Sequence, residues 1–198
     1  MRIGIAGYMG AGKSTCAHAF CSLDTIIIDA DTEAKLLMQS DLKLQLDLKN
    51  AFGESVIDGD KVLFNELGRK AFSSVGTLLT LNKIIHPPLV KHLQSRIRND
   101  ENTNCILDAA LIPLLHIESW FDLCVWADSP FAVRLERLKA KRADMEEEEL
   151  CRRMRLQEEV MPIPQSERWI KLPDSECRQY IKNQLEIRNS DVKNMDNI

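Results

Sequence analysis

Several features that would place a chain in a familiar class are missing here. Cysteine occurs six times (Cys16, Cys21, Cys105, Cys124, Cys151, Cys177), but never as C-x-x-C, so neither a zinc site nor a disulfide framework is indicated and the thiols read as small core fillers. There is no excess of positive charge. A net charge of −4 and a pI near 5.6 exclude a nucleic-acid footprint over the whole surface and leave room only for a local basic cleft. No apolar run approaches the ~20 residues of a membrane span. The first strand starts straight after Met1-Arg2, which leaves no room for a secretory signal, so a reducing cytoplasm is the expected location. Internal repeats, low-complexity tracts and an Asn-Lys-x-Asp guanine motif are all absent. The partner is therefore expected to be a small molecule, with no nucleic acid and no membrane, and the chain a monomer or weak homo-oligomer. At 198 residues it can bury one good core with a subdomain or lid beside it.

Glycine is also scarce, at eight residues, yet three of the eight fall within six positions. They belong to Gly7-Tyr8-Met9-Gly10-Ala11-Gly12-Lys13-Ser14-Thr15, which follows the apolar run Ile3, Ile5, Ala6 and completes the pattern G-x-x-x-x-G-K-[ST] between a strand and a helix. Glycines allow the backbone to approach an anion closely, successive N–H groups form a nest, and the helix opening at Lys13 adds its positive end. All nine residues, Gly7 to Thr15, are thus candidate ATP contacts. Lys13 is placed to reach the β- and γ-phosphates and the Ser14 hydroxyl to ligate Mg²⁺. ATP and Mg²⁺ are the expected cofactors. A bare glycine-rich turn of a Rossmann-type sheet is the plainer alternative. The loop alone does not say whether the γ-phosphate goes to water or to an acceptor.

A helix from Thr15 to about Ser22 is followed by Thr25-Ile-Ile-Ile28, a β-branched run suited to a parallel strand buried on both faces. It ends in Asp29-Ala30-Asp31, whose carboxylates should lie beside the phosphate loop and share a side in extended backbone. One serves as general base or metal partner, and Asp31, farther from the strand, is the preferred base; an N-cap would explain only one of the two. Residues 33 to about 99 read as mostly helical, including the alternating Leu42, Leu44, Leu46 and Leu48, because leucine and lysine favour helix and no β-branched residue supports a strand. A turn at Asp58-Gly59-Asp60 divides this region. His86, before Pro87-Pro88, is expected in extended backbone at a helix start; it is either a structural histidine or an acceptor contact. A third strand, Cys105 to Ala109, carries Asp108 where a Walker B acid would stand, or a cap. The fourth, Leu123 to Ala127, leads through Asp128-Ser129-Pro130 into a helix. The basic block Arg134, Arg137, Lys139, Lys141, Arg142, Arg152, Arg153 and Arg155 reads as charged helix, turn, charged helix. Beside a phosphate loop this suits a mobile lid that neutralises the transferred phosphoryl group and excludes water. A last strand, Trp169 to Leu172, precedes a helix from Asp174 to Ile187, and Ser190 to Ile198 reads as frayed.

Taken in order, Gly7 to Thr15, Asp29-Ala30-Asp31, Phe52-Gly53, Asp58-Gly59, Asn82 with Ile85-His86-Pro87, Pro113-Leu114-Leu115, Arg137, and Arg153 with Gln157 resemble the dephospho-coenzyme A kinases. The resemblance implies an α/β fold: a three-layer α/β/α P-loop kinase with a five-stranded parallel sheet, a helical substrate insert and a helical lid. Its implied boundaries are 1–32, 103–135 and 158–198 for the nucleotide-binding core, 33–102 for the acceptor-binding insert and 136–157 for the lid. The implied reaction moves the γ-phosphate of ATP to the ribose 3′-hydroxyl of dephospho-coenzyme A, the last step of coenzyme A synthesis. In that reading Asp31 is the base, Lys13 and Arg137 stabilise charge, and Asp29, Asp31, His86 and Leu114 contact the acceptor. Ser14 holds Mg²⁺, with Asp29 or Asp108 as its partner. The chain departs from the family pattern at Phe64-Asn65, at His116-Ile117 before Glu118, and at Glu167-Arg168 and Leu172-Pro173, near the adenine position. A nucleoside or nucleoside-monophosphate kinase with a different acceptor, or a P-loop regulator, are the alternative functions.

Overall fold

The computed structural model describes residues 1–20, 25–98 and 104–195. In chain order the elements are β1 (Arg2–Ala6), α1 (Lys13–His18), β2 (Thr25–Asp29), α2 (Ala30–Ser40), α3 (Leu42–Phe52), β3 (Ile57–Asp58), β4 (Lys61–Val62), α4 (Phe64–Ala71), α5 (Val75–Arg98), β5 (Asn104–Asp108), α6 (Ile112–Leu115), β6 (Leu123–Asp128), α7 (Phe131–Lys141), α8 (Glu147–Val160), β7 (Trp169–Pro173) and α9 (Asp174–Met195). They form two compact units: Met1–Asp29, Asp100–Ala143 and Ile163–Ile198 in the first, Ala30–Asn99 and Asp144–Pro162 in the second.

The first unit is a five-stranded, all-parallel sheet in the order β2-β5-β1-β6-β7, flanked by helices. Its central strand β1 is apolar because both faces are covered. On one face Ile3, Ile5, Ile106 and Val125 pack with Ala17 and Phe20 below the phosphate loop and with Cys177, Ile181 and Leu185 of α9. On the other, Gly4 lies so close to Ile112 and Phe121 that a Cβ would stand 3.0 Å from each. Register places Ile5 opposite Asp108 on one side and Val125 on the other, so the carboxyl ends of β1, β5 and β6 open on the same edge. That edge is where ligands of open parallel sheets bind.

The second unit is largely helical, and two expectations change in it. The turn at Asp58-Gly59-Asp60 closes a short antiparallel hairpin, β3 with β4, pairing Ile57 with Val62; two-residue strands are too short to leave a periodic signal. His86 does not begin a helix in extended backbone but sits inside the 24-residue α5, as do Pro87 and Pro88. The prolines remove two ladder donors, but the buried stripe Leu78, Ile85, Leu89, Leu93 and Ile97 runs straight through them. Continuous burial outweighs the local break. Two arginines of the basic block are paired within this unit: Arg152 donates to the Phe72 carbonyl and pairs with Glu149, while Arg153 pairs with Glu149 at 2.6 Å and stacks 5.2 Å from the Phe72 ring. Burial alone would raise the Glu149 carboxyl, but the hydrogen bonds from both arginines hold it below the ordinary range. The leucine run is helical, as its composition implies. Asp41 caps α3 by accepting from the Lys43 and Leu44 N–H groups, and Leu44 (4 % exposed) and Leu48 (0 %) face inward while Leu42 (74 %) and Leu46 (56 %) face out.

Elsewhere the differences are in element ends. The helix after the loop is Lys13–His18, and Cys21 and Ser22 lie outside the described residues. Strand ends shift by one residue. α9 continues to Met195 instead of fraying from Ser190.

Candidate active site

The phosphate loop grows directly out of buried β1. Past Ala6 the chain turns through residues 7 to 12 and enters α1 at Lys13, with Gly12 as N-cap in left-handed backbone, φ 86° and ψ 6°. Gly10 is left-handed as well, φ 78°, and a Cβ there would stand 2.7 Å from the Arg134 carbonyl oxygen of α7. Both positions require glycine on conformational grounds, and Gly10 on space as well. The turn is held by the Ala11 N–H donating to the Tyr8 carbonyl at 3.1 Å. The Lys13 ammonium folds back to donate to that same carbonyl at 3.2 Å. α1 has no side-chain cap and no acidic residue in its first turn, so nothing anionic from its own sequence competes for the loop.

The loop forms one wall of a cleft of about 470 Å³. Gly10, Gly12, Lys13, Ser14 and Thr15 face Arg137 and Lys141 of α7 and Asp174, Ser175 and Arg178 of α9. Four cations against one carboxylate make this cleft basic in a protein of net charge −4, the local exception that overall composition left open. Arg137 spans it: one guanidinium nitrogen donates to the Gly10 carbonyl (3.3 Å) and the Ser129 hydroxyl (3.2 Å), and the other to Asp174 (2.8 Å). Ser129 therefore does not cap α7; the N-cap is Pro130, without a side-chain bond. Cys16 also lines the cleft, and burial pushes its thiol up to about 12, so it stays protonated at neutral pH.

Asp108, the last residue of β5 and 5 % exposed, lies in register with Asp29, the last residue of β2. Two carboxylates thus stand side by side on the sheet edge that carries the loop. Among the described residues no group of three or more His, Cys, Asp or Glu could hold a metal ion. A hydroxyl with one or two nearby carboxylates suits Mg²⁺, which keeps waters and phosphate oxygens in its shell and does not need an all-protein cage. The loop, its basic cleft, Asp29, Asp108, Arg137 and Leu114, in α6, all belong to the first unit. Asp31 and His86 belong to the second. The expectation that Asp29 and Asp31 share a side of an extended segment fails, because β2 ends at Asp29 and Asp31 is already in the first turn of α2. His86 has a buried Nε2 without a hydrogen-bond partner among the described residues, and burial lowers its basicity.

Three residues near the loop escaped sequence reading. Asp174 read only as the start of a helix, Ser129 as part of the entry to one and Arg134 as one charge of the basic block. Only the meeting of α7, α9 and the loop gives them a place, and no local pattern encodes that meeting.

The dephospho-CoA kinase family model matches residues 1–169. The chain belongs to the dephospho-CoA kinase family. Its similarity extends to the dephospho-CoA kinase of Corynebacterium efficiens, 32% identical over 158 residues that cover 78% of each chain. Among solved structures, one from Thermus thermophilus superposes with a TM-score of 0.67 at 23% identity, covering 94% of this chain and 96% of that one. The dephospho-CoA kinase from Campylobacter jejuni gives 0.61 at 20% identity, covering 96% and 98%. At those identities the structures speak for a shared fold, and the family match carries the assignment.

Proposed function

We propose that this chain transfers the γ-phosphoryl group of ATP to the ribose 3′-hydroxyl of dephospho-coenzyme A, giving coenzyme A and ADP. What carries the reading is a complete phosphate loop facing a basic cleft in a member of this kinase family. The loop N–H groups and Lys13 bind the triphosphate. Ser14, with Asp29 or Asp108, would hold Mg²⁺, which would supply charge neutralisation for the triphosphate. Arg137 exchanges part of its present pairing for the transferring group, where charge spreads over the equatorial oxygens. Asp31 accepts the acceptor hydroxyl's proton. Asp29, His86 and Leu114 contact the acceptor; a neutral His86 with an unpartnered Nε2 suits a hydrogen bond to a polar ligand atom. Residues 33–102 serve as the acceptor-binding insert and 136–157 as the lid, in a cytoplasmic enzyme that works as a monomer or weak homo-oligomer.

The deciding experiment is ADP release from Mg²⁺ATP with dephospho-coenzyme A against a panel of nucleosides and nucleoside monophosphates. Turnover with dephospho-coenzyme A that exceeds every other acceptor and disappears in Lys13→Ala supports the proposal. Preference for a nucleoside or nucleoside monophosphate would replace the acceptor, and nucleotide binding without transfer would leave a regulator.

A further inference from the structure

α7 contributes a second arginine to the loop, and this one never reaches solvent. Arg134 is 3 % exposed. Its Nε donates to the Ser129 carbonyl at 3.0 Å, and its guanidinium lies 5.0 Å from the centre of the Tyr8 ring and 5.3 Å from that of Phe131. Tyr8 is itself part of the phosphate loop, and its ring meets Trp126 edge-on at 5.1 Å. The Tyr8 carbonyl accepts both the Ala11 N–H, which closes the turn, and the Lys13 ammonium. One residue thus links the buried guanidinium, through a ring, to the carbonyl on which the catalytic lysine rests. The backbone of Arg134 is tied to the loop too, since its carbonyl fills the space a Cβ on Gly10 would need.

Burying a guanidinium is costly unless its environment compensates, and an apolar side chain of similar volume often serves packing as well or better. Here compensation comes in part from the faces of two rings and a carbonyl. In return the low-dielectric interior lets the charge act more strongly on neighbours than a surface arginine would. Its near neighbour is a loop that must hold a polyanion.

We propose that Arg134 is a positioning residue of the phosphate loop: by stacking on Tyr8 it fixes the Tyr8–Gly10 arch and the resting place of Lys13, and its buried charge favours the bound triphosphate. The proposal rests on the nucleotide-binding reading of the loop but not on the identity of the acceptor. It predicts a selective defect. Loss of the guanidinium raises the KM for ATP and leaves the KM for the acceptor unchanged, because the acceptor does not bind this loop. A residue that only supports the fold would lower the active fraction and change neither KM.

The test uses the full chain carrying Arg134→Gln, Arg134→Lys, Tyr8→Leu, and Tyr8→Leu with Arg134→Gln, assayed for both KM values and for direct ATP binding by the change in tryptophan fluorescence. Arg134→Gln is expected to weaken ATP binding by up to about thirtyfold, the scale of one desolvated cation–π contact. Arg134→Lys should recover part of this, because a cation still faces the ring, but not all, because a planar stack is lost. Tyr8→Leu should reproduce the defect, and adding Arg134→Gln to it should cost little more, the mark of two residues acting through one contact. Wild-type ATP affinity in folded Arg134→Gln overturns the proposal, as do additive losses in the double variant. If Arg134→Gln does not fold, Tyr8→Leu and Arg134→Lys carry the same comparison, and wild-type ATP KM in both overturns it. Failure of the wild-type chain to bind ATP would instead remove the nucleotide reading itself.

Discussion

Arg137 and Asp174 form a hydrogen-bonded ion pair, 2.8 Å from guanidinium to carboxylate, across the cleft beside Gly12. The arginine proposed to meet the transferred phosphoryl group is thus already paired with a carboxylate of its own chain. A half-exposed pair of this kind is worth no more than about 1 kcal/mol, so a polyanion can displace it. Asp174→Asn is expected to lower the KM for ATP a few-fold, because a negative charge leaves the cleft and Arg137 is released. A higher KM would mean that Asp174 instead holds Arg137 in its working position.

Arg137→Ala should lower kcat more than it raises the KM for ATP, since an interaction strongest in the transition state shows in turnover. Arg137→Lys should rescue only in part: the guanidinium reaches Gly10, Ser129 and Asp174 at once, and an ammonium cannot reproduce that fork. Equal losses of ATP binding and turnover would mark a ground-state contact.

For the two aspartates, the comparison is kcat of Asp31→Asn beside Asp29→Asn, with ATP affinity titrated in each. Asp31→Asn is expected to cost about 10²-fold in turnover, near the low end for a positioned base, because a loose phosphoryl transition state does not demand early deprotonation. ATP affinity should hold. A larger loss in Asp29→Asn would reverse the two roles.

Gly10→Ala should damage nucleotide binding and stability together. Left-handed backbone costs a non-glycine residue roughly 1 to 2 kcal/mol, and here the added methyl also meets the Arg134 carbonyl at 2.7 Å, so α7 or the loop must move. Thermal unfolding and ATP titration of the variant measure both. Unchanged values would show a loop able to relax freely.

Acid should destabilise the protein partly through His86. Burial lowers its basicity in the folded state, so below its ordinary value of 6.5 the unfolded chain binds a proton that the native imidazole resists. Its contribution is present above that pH and is lost as pH falls from 6.5 toward the lowered native value. His86→Gln should therefore reduce the drop in melting temperature between pH 7.5 and 5.5. An equal drop in both proteins would remove His86 as the cause.

Thiol labelling at pH 8 should spare Cys16, Cys124 and Cys177, whose buried thiols are pushed to about 12, 11 and 11. Among the described cysteines Cys151 is the only one not buried and should react first, as mass spectrometry after brief alkylation would show. Early loss of the Cys16 thiol would contradict its burial.

The residues Gly7 to Ser14 determined their own local structure, because left-handed glycines, an uncapped helix start and an apolar strand leading in are all short-range requirements. The parallel sheet was legible for the same reason: Ile3, Ile5 and Cys105 to Leu107 form apolar runs that need cover on both sides, whereas Thr25 to Ile28, read the same way, is an edge strand in which only Ile28 is buried. Composition also decided that Leu42 to Leu48 is a helix despite its period of two. The tertiary structure alone decided the partners. It put His86 inside α5, where a buried stripe outweighs two prolines that would end an isolated helix. It made Ser129 an acceptor for Arg137, set Asp174 across the cleft, and buried Arg134 against Tyr8, 126 positions earlier in the chain. Strand and turn preferences act within a few residues. The placing of α9 against the loop follows from burying Ile3, Ile5, Cys177 and Ile181 in one core, and that choice is made over the whole chain at once.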